Sequence, residues 1–353
     1  MIKLHSRKKA EPSDYQMPEE YLLDVENLRV NIKLEGDTLC AVRGVSFALK
    51  KGETLGLVGE SGCGKSVTSK EIVGINPDNC TSEGTVLFRT KSGTVLNLLQ
   101  LEKDGEQYRA IRGTEIAMIF QEPMTAFSPL YTIGNQLMEI ILIHEPGVTK
   151  KEAKARVIEM LKKVGIANPE KRFDQFPHEF SGGMLQRALI AMMLCCNPDL
   201  LIADEPTTAL DVTIQAQILE LMSSLQKEYG MSILFITHDL GIVANMCDRV
   251  AVMYLGEIVE TGTAHQIFHN AQHPYTRGLL RSIPRVDQNR EKRLFVIEGM
   301  VPVPINLPEA CGFADRCPFC ENGVCDCHSV EMREVEPGHM VRCIMTQRGG
   351  AKA

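Results

Sequence analysis

Residues 59–66 read Gly-Glu-Ser-Gly-Cys-Gly-Lys-Ser, set between an apolar run, Thr54–Val58, and a segment with helical character from Lys65. A strand, a glycine-rich turn and a helix in that order are the setting a phosphate-binding loop requires. Gly59, Gly62 and Gly64 let backbone N–H groups turn inward onto phosphate oxygens, and the helix N-terminus behind them adds partial positive charge. Lys65 is placed to reach β- and γ-phosphates and Ser66 to hold Mg²⁺. Glu60, Ser61, Cys63 and Val67 complete the expected phosphate-binding set. The competing explanation is a chance glycine-rich turn, and a full match in the right context argues against it.

A second feature fits the first. Asp199–Glu205 is a short apolar run ending in two acids. It reads as a parallel strand buried on both faces, and the C-terminal ends of such strands are where α/β sheets place their chemistry. Asp204 is then the candidate Mg²⁺ ligand and Glu205 the group that orients or deprotonates an attacking water. Alone, two acids at a strand end would be a solvated turn; beside a phosphate loop they read as catalytic.

Phe180-Ser181-Gly182-Gly183-Met184-Leu185-Gln186-Arg187 lies just before the acidic strand and resembles the signature of ATP-binding-cassette (ABC) ATPases. Gln121 in Phe120-Gln121-Glu122-Pro123, Asp211 in Thr208-Ala209-Leu210-Asp211 and His238 in Thr237-His238-Asp239 match further markers of that family, and the resemblance spans about residues 21–345. It implies an α/β fold: an ABC-type nucleotide-binding domain with a RecA-like phosphate-loop core, an antiparallel β subdomain and an inserted helical subdomain, followed by a small Cys-rich C-terminal domain. It also implies that two cassettes pack head to tail around two ATP molecules. Lys65, Ser66, Gln121, Asp204, Glu205 and His238 would serve the ATP of this chain, with Ser66, Gln121 and Asp204 around Mg²⁺ and Glu205, His238 and Gln121 in catalysis. Ser181 and Gly183 would reach across to the partner's ATP, and Gly182 and Asp211 are also expected among the nucleotide-binding residues. One departure stands out: the family usually stacks an aromatic ring on adenine where this chain has Ile32, so apolar contact from Ile32, helped by Val42, is the expected substitute. Met184, where many members have Gln, resembles one of the two ATPase subunit types of peptide importers, the D-type.

Organisation along the chain agrees. Residues 1–20 are polar and charged and read as a flexible tail. An ATPase domain is expected over 21–268, with its helical subdomain at about 122–198, and a C-terminal domain over 269–353. In the helical part Ala153, Val157, Leu161 and Val164 share a face and Gly165 sits at a C-cap position. Asp211–Tyr229 reads as an amphipathic helix ending at Gly230, Ser232–Thr237 as a buried strand delivering His238, and Arg249–Val259 as a hairpin. By resemblance, Pro123–Leu130 would face the coupling helices of membrane subunits; an ordinary connecting loop is the alternative.

Composition narrows the partners. A net charge of −7 argues against a nucleic-acid surface. The N-terminus lacks the apolar region of a secretory signal, and no apolar stretch approaches the roughly 20 residues needed to span a bilayer. Transport would therefore require partners. The segment His273–Leu280 and the tail from Leu307 to His339 resemble those of dipeptide and oligopeptide importers. The implied assembly is a second ABC ATPase, two transmembrane permease subunits and an extracytoplasmic substrate-binding protein, with this chain peripheral on the cytoplasmic face of the membrane. Nickel or another small solute is the alternative cargo. A cytosolic ABC ATPase acting on DNA or ribosomes is a rival reading, opposed by the single cassette and the acidic balance. An iron–sulfur redox protein is another, opposed by the intact ATPase set.

Six of the 12 cysteines fall between 311 and 343. A reducing compartment disfavours structural disulfides and points instead to metal. Cys317-Pro318-Phe319-Cys320 has zinc-type spacing, with His328 as a weaker donor. The subfamily resemblance implies a 4Fe-4S iron–sulfur cluster on Cys311, Cys317, Cys325 and Cys343, with Cys320 or Cys327 as substitutes because the spacing after Cys317 is longer than usual. Zn²⁺ remains the alternative. Cys63 is expected to be oxidisable only if exposed.

Overall fold

The computed structural model describes residues 15–121, 123–208, 210–283 and 295–347. Most of the expected N-terminal tail, together with Glu122 and Ala209 of the two marker motifs, lies outside these. The described part of the tail is packed. Met17 is buried against Leu87 and Val95, and Arg89 donates to the Met17 and Pro18 carbonyls at 2.6 and 3.0 Å.

Two long strands, β1 (Tyr21–Lys33) and β2 (Thr38–Lys50), precede the short β3 (Thr54–Val58), which the phosphate loop joins to α1 (Lys65–Val73). Then come β4 (Cys80–Arg89), β5 (Val95–Asn97), α2 (Glu106–Ile111) and β6 (Ile116–Ile119). A helical block follows: α3 (Pro123–Ala126), α4 (Ile133–His144), α5 (Lys150–Lys163), α6 (Pro169–Phe173) and α7 (Gly182–Leu194). The chain returns through β7 (Leu200–Asp204), α8 (Val212–Tyr229), β8 (Ser232–Thr237), α9 (Leu240–Met246), β9 (Arg249–Tyr254), β10 (Glu257–Thr263), α10 (Ala264–Asn270) and α11 (Pro274–Ser282). It ends with β11 (Arg333–Glu336), β12 (His339–Val341) and α12 (Ile344–Gln347).

Two sheets result. β2-β1-β4-β5 is antiparallel, and an eight-stranded sheet runs β11-β12-β10-β9-β3-β8-β7-β6. Every residue of β3, β7 and β8 is buried, as parallel strands covered on both faces must be. Their register is what builds the site. Val58 pairs with Thr237, Asp204 with Ile236 and Ile119 with Ala203. The phosphate loop, Glu205, His238 and Gln121 therefore all emerge at one sheet edge.

The helical block packs on itself through Leu137, Ile141, Val157, Leu161 and Leu189, all buried. α5 is bounded as its sequence demands. Thr149 and Glu152 form a reciprocal capping box, and Gly165 takes a left-handed φ of 78° just past the end. Similarly, Asp211 caps α8 and Gly230, at φ 65°, closes it.

The C-terminal segment, expected as a small Cys-rich domain, is joined to both sheets by backbone pairing. β12 pairs with β10, Cys40 N–H donates to the Pro304 carbonyl at 2.8 Å, and Leu39 bridges Ile305. The physical reason is the edge: β10 and β2 each expose backbone donors and acceptors that these segments satisfy. A buried hydrogen-bonded knot fastens the join. Fully buried Glu260 accepts the N–H groups of Gln272 and His273 at 2.6 and 3.0 Å and faces His339 Nε2 at 2.8 Å.

Candidate nucleotide site

The phosphate loop is fixed by what surrounds it. Gly64 has φ 102°, and a Cβ there would fall 2.4 Å from the Ala41 carbonyl oxygen; one on Gly59 would fall 2.1 Å from that of Met253. Only glycine lets the loop lie this close to β2 and β9. Lys65 is buried, and its ammonium donates to the Gly59 and Glu60 carbonyls at 2.7 and 3.0 Å. Cys63 turns its side chain down into the core and is 1% exposed. Burial pushes its thiol pKa up, so the oxidisable reading does not hold; its sulfur instead lies 3.7 Å from the Lys65 ammonium.

Ser66 Oγ donates to Asp204 Oδ1 at 3.1 Å. Burial raises the Asp204 carboxyl above its usual range and the Ser66 hydrogen bond partly offsets this. A hydroxyl and a buried carboxylate at hydrogen-bond distance are the hard oxygen donors that suit Mg²⁺, so the residues present fit that ion.

Glu205 stands at φ 48°, a left-handed backbone that a non-glycine residue rarely takes, with its N–H on the Ile236 carbonyl. Three side chains converge on its carboxylate. Gln121 Nε2 and Thr208 Oγ1 donate to Oε2 at 2.9 and 3.0 Å, and His238 Nδ1 lies 3.0 Å from Oε1. Burial alone would raise this carboxyl, but the His238 and Thr208 hydrogen bonds and the nearby His238 and Lys65 charges outweigh it and hold it below the ordinary 4.5. The arrangement presents an ionised carboxylate, aimed by an amide, a hydroxyl and an imidazole, at a pocket lined by a phosphate loop.

That pocket has a volume of about 1090 Å³. Of the residues expected from sequence, Ile32, Gly59, Glu60, Ser61, Gly62, Gly64, Lys65, Ser66, Val67, Gln121, Glu205 and His238 line it. Asp204 sits behind Ser66. Ser181, Gly182, Gly183 and Asp211 are not in the lining; Ser181 caps α7 and Asp211 caps α8, each through its side-chain oxygen. Val42 is also absent, because its side chain is buried in the core and Leu39 and Ala41 face the pocket instead. β2 alternates its faces, so Ala41 and Val42 cannot point the same way.

A whole wall went unforeseen. Leu279, Phe295, Val301, Pro302, Val303 and Pro304 of the C-terminal segment close the end of the pocket near Ile32. The one signal in the sequence was the alternating Val301-Pro302-Val303-Pro304, which must run extended. Nothing in it named the surface it would cover.

Four of the tail cysteines border one small cavity. Cys311, Cys317, Cys325 and Cys343 line one cavity of about 20 Å³, with Phe313, Phe319 and Val330. Burial, then the neighbouring thiols, pushes Cys311 up to about 12 and Cys317 up to about 11. Cys320 and His328 are not in that lining and Cys327 is exposed. Among the described residues no group of three or more His, Cys, Asp or Glu side chains is placed to hold a metal ion. Neither the zinc-type set of Cys317, Cys320 and His328 nor the cluster set of Cys311, Cys317, Cys325 and Cys343 is therefore assembled around a metal-sized site.

Comparison with known proteins places this geometry. A family model described as ABC transporter matches residues 42–208, and one described as oligopeptide/dipeptide transporter, C-terminal region, matches 259–325. The chain is 51% identical over 325 residues to the dipeptide transport ATP-binding protein DppD of Bacillus subtilis, covering 92% of each chain. It is 52% identical over 300 residues to the oligopeptide transport ATP-binding protein OppD of the same organism, covering 84% of this chain and 82% of that one. Among solved structures, a dimeric bacterial ABC transporter cassette superposes with a TM-score of 0.61 at 26% identity, over 69% of this chain and 99% of that one. A dimeric cassette in a post-hydrolysis state bound to ADP and Pi gives a TM-score of 0.60 at the same identity and coverage. With relatives this similar over nearly its whole length, the chain belongs to the ABC transporter ATPases, in the branch that carries the oligopeptide/dipeptide-transporter C-terminal region.

Proposed function

We propose that this chain is the ATP-binding and ATP-hydrolysing subunit that powers import of dipeptides or oligopeptides across the cytoplasmic membrane. The observation that carries the reading is the convergence of Lys65, the Ser66–Asp204 pair and the Gln121–Glu205–His238 cluster on one pocket. Loop N–H groups and Lys65 bind the phosphates. Ser66 and Asp204, with Gln121, would hold Mg²⁺, which neutralises phosphate charge when bound. Glu205 orients a water toward the γ-phosphorus and takes its proton as the bond to the bridging oxygen breaks, leaving ADP and phosphate. Gln121 and His238 keep that carboxylate aimed. The peptide cargo rests on the named relatives and the matched C-terminal region, since no residue here has to touch the peptide.

Ser181–Gly183 and Asp211, at the exposed ends of α7 and α8, would reach the ATP of a second, similar cassette. Two permease subunits would dock beside the Gln121 loop. Leu130 and Tyr131, exposed by 79% and 60%, stand in the segment that follows Gln121 and offer apolar surface there. Among the described residues no helix is long and apolar enough to cross a membrane, which fits a peripheral subunit at the cytoplasmic face, supplied by an extracytoplasmic binding protein. The test is reconstitution. Co-assembled with its permeases and partner ATPase in proteoliposomes, the chain should hydrolyse ATP in step with peptide uptake. Uptake that persists without it, or ATPase activity indifferent to the other subunits, would overturn the reading.

The four thiols sharing one cavity also favour a 4Fe-4S cluster on Cys311, Cys317, Cys325 and Cys343. The cavity holds about one water, so the thiols would deprotonate and move apart to accept it. Its place in a tail away from Glu205 fits a structural role. Anaerobically purified protein should be brown, with iron and acid-labile sulfide in equal amounts; colourless protein carrying one zinc would reject it.

A further inference from the structure

The C-terminal segment does more than wall the pocket, because it grips the phosphate loop directly. Glu60 is the only acidic residue in the loop. Its N–H donates to Tyr275 Oη at 2.9 Å. Its carboxylate takes a two-pronged bond from Arg316, Nη1 to Oε2 at 2.7 Å and Nη2 to Oε1 at 3.1 Å, across 256 residues of sequence. Arg316 is itself held on every side. Its side chain is 5% exposed. Nε donates to the Glu298 carbonyl at 3.0 Å, and Nη2 and Nη1 reach the Ile297 carbonyl and Tyr254 Oη at 3.4 Å each. The guanidinium lies 5.7 and 6.0 Å from the Tyr254 and Phe313 ring centres. A planar fork buried this way is pre-set for one carboxylate, and lysine cannot reproduce it.

The chemistry gives the contact a purpose. A carboxylate on a loop that must receive a polyphosphate opposes binding unless its charge is cancelled. An eight-residue loop rich in glycine also has conformational entropy to lose when it orders around phosphate. Arg316 addresses both at once: it neutralises Glu60 and ties the start of the loop to the short helical turn Ala314–Arg316, next to Cys317. Tyr275, fully buried against Tyr254 and Phe313, fixes the backbone at the same residue.

We propose that Arg316 is a positioning residue for nucleotide binding, which, with Tyr275, braces the phosphate loop through Glu60 and cancels the charge that would repel the phosphates. The inference rests on the ATP-binding reading above. It makes the C-terminal segment, thiol-lined cavity included, a determinant of ATP affinity while leaving the hydrolytic step to other residues.

The test measures Kd for Mg-ATP by titration of the full chain, and KM and kcat for ATP in the assembled transporter. Arg316→Met should weaken binding about tenfold, the scale of one nearby uncancelled charge. KM should rise by a similar factor, with kcat at saturating ATP within about twofold of wild type. Adding Glu60→Gln to Arg316→Met removes the stranded charge and should bring Kd back to within about threefold of wild type. A merely structural arginine would not be rescued this way. Arg316→Lys should fall between, and it carries the same test, with the same rescue, if Arg316→Met does not fold. If wild type binds Mg-ATP and these variants bind it equally well, or if Glu60→Gln brings no recovery, the brace is overturned. A wild-type chain that does not bind Mg-ATP overturns the ATPase reading itself.

Discussion

Replacing Glu205 with glutamine separates binding from hydrolysis. The side chains are nearly isosteric, but the amide keeps one acceptor oxygen where the carboxylate has two. In the native site Oε2 serves Gln121 and Thr208 and Oε1 faces His238. Glu205→Gln therefore leaves at least one of these groups facing an N–H₂ and removes the proton acceptor. Positioned general bases contribute about 10²–10⁴ in rate, so the hydrolytic barrier should rise by roughly 3–5 kcal/mol. Nucleotide affinity should stay within about threefold, because the Lys65 and Ser66–Asp204 contacts do not involve the Glu205 side chain. The assay is single-turnover hydrolysis of labelled ATP in the assembled transporter, beside equilibrium Mg-ATP binding. The pH dependence sharpens it. Hydrogen bonding holds the Glu205 carboxyl below 4.5 despite burial; a depressed acid is ionised at every pH above its value and is lost as a base only as pH falls through it. The wild-type-to-variant rate ratio should therefore be flat from pH 6 to 8. Turnover within tenfold of wild type, or a ratio that collapses between pH 8 and 6, would refute Glu205 as the base.

Lys65→Ala removes the buried ammonium and should weaken Mg-ATP binding about 50- to 100-fold, in line with roughly 2–3 kcal/mol for a charged hydrogen-bond donor; titration showing less than a threefold change would contradict its role. Glu260→Ala strands two backbone N–H groups and buried His339, so thermal denaturation should show a loss of about 3–5 kcal/mol, and under 1 kcal/mol would mean that the knot does not fasten the C-terminal segment. The Arg156 hydrogen bond holds the Glu145 carboxyl below its usual range. Such a carboxylate stabilises above its unfolded value and loses that contribution as pH falls through the folded one. Glu145→Gln should therefore lower the urea midpoint slightly at pH 7, with the gap narrowing toward pH 4; a gap constant in pH would show that the pair contributes no ionic stabilisation.

What could be read from sequence divides along a physical line. Thr54–Val58 and Ser232–Thr237 appear as strands with the expected bounds, and α8 ends at Gly230 as expected. In each case the determinants are local: an apolar run, an N-cap, a glycine that alone tolerates left-handed backbone. The meeting of Gln121, Glu205 and His238 was legible for a related reason, since loops at the ends of parallel strands are brought together by sheet register whatever the rest of the chain does. Pairings between distant segments were not legible. Nothing around Glu60 announces Arg316, and nothing around Cys40 announces Pro304. The zinc-type spacing misled in the same manner, because Cys317-Pro318-Phe319-Cys320 satisfies a local rule while Cys320 stays outside the cavity that four other thiols line. The expectation for Val42 failed at finer grain, one residue of strand alternation being enough to bury it.

The two largest surprises belong together. Ile32 stands where a stacking ring was expected, which left base recognition without an obvious surface. The C-terminal segment offers a candidate: Val301–Pro304 runs beside β2, tied to it by the Cys40–Pro304 bond and the Leu39–Ile305 bridge. A flat base entering that end would meet an apolar lining of Ile32, Leu39, Ala41, Phe295, Val301 and Val303. Apolar burial is non-directional and scales with area, so such a lining can replace one aromatic face at the cost of geometric selectivity. Arg316 and Tyr275 do not line the pocket and bear on it through Glu60 of the phosphate loop. One segment thus walls the pocket and holds its phosphate loop, and Glu260 with His339 fastens it to the core sheet. A lesion in that knot, far from any phosphate contact, should reach ATP affinity through the wall and the brace together.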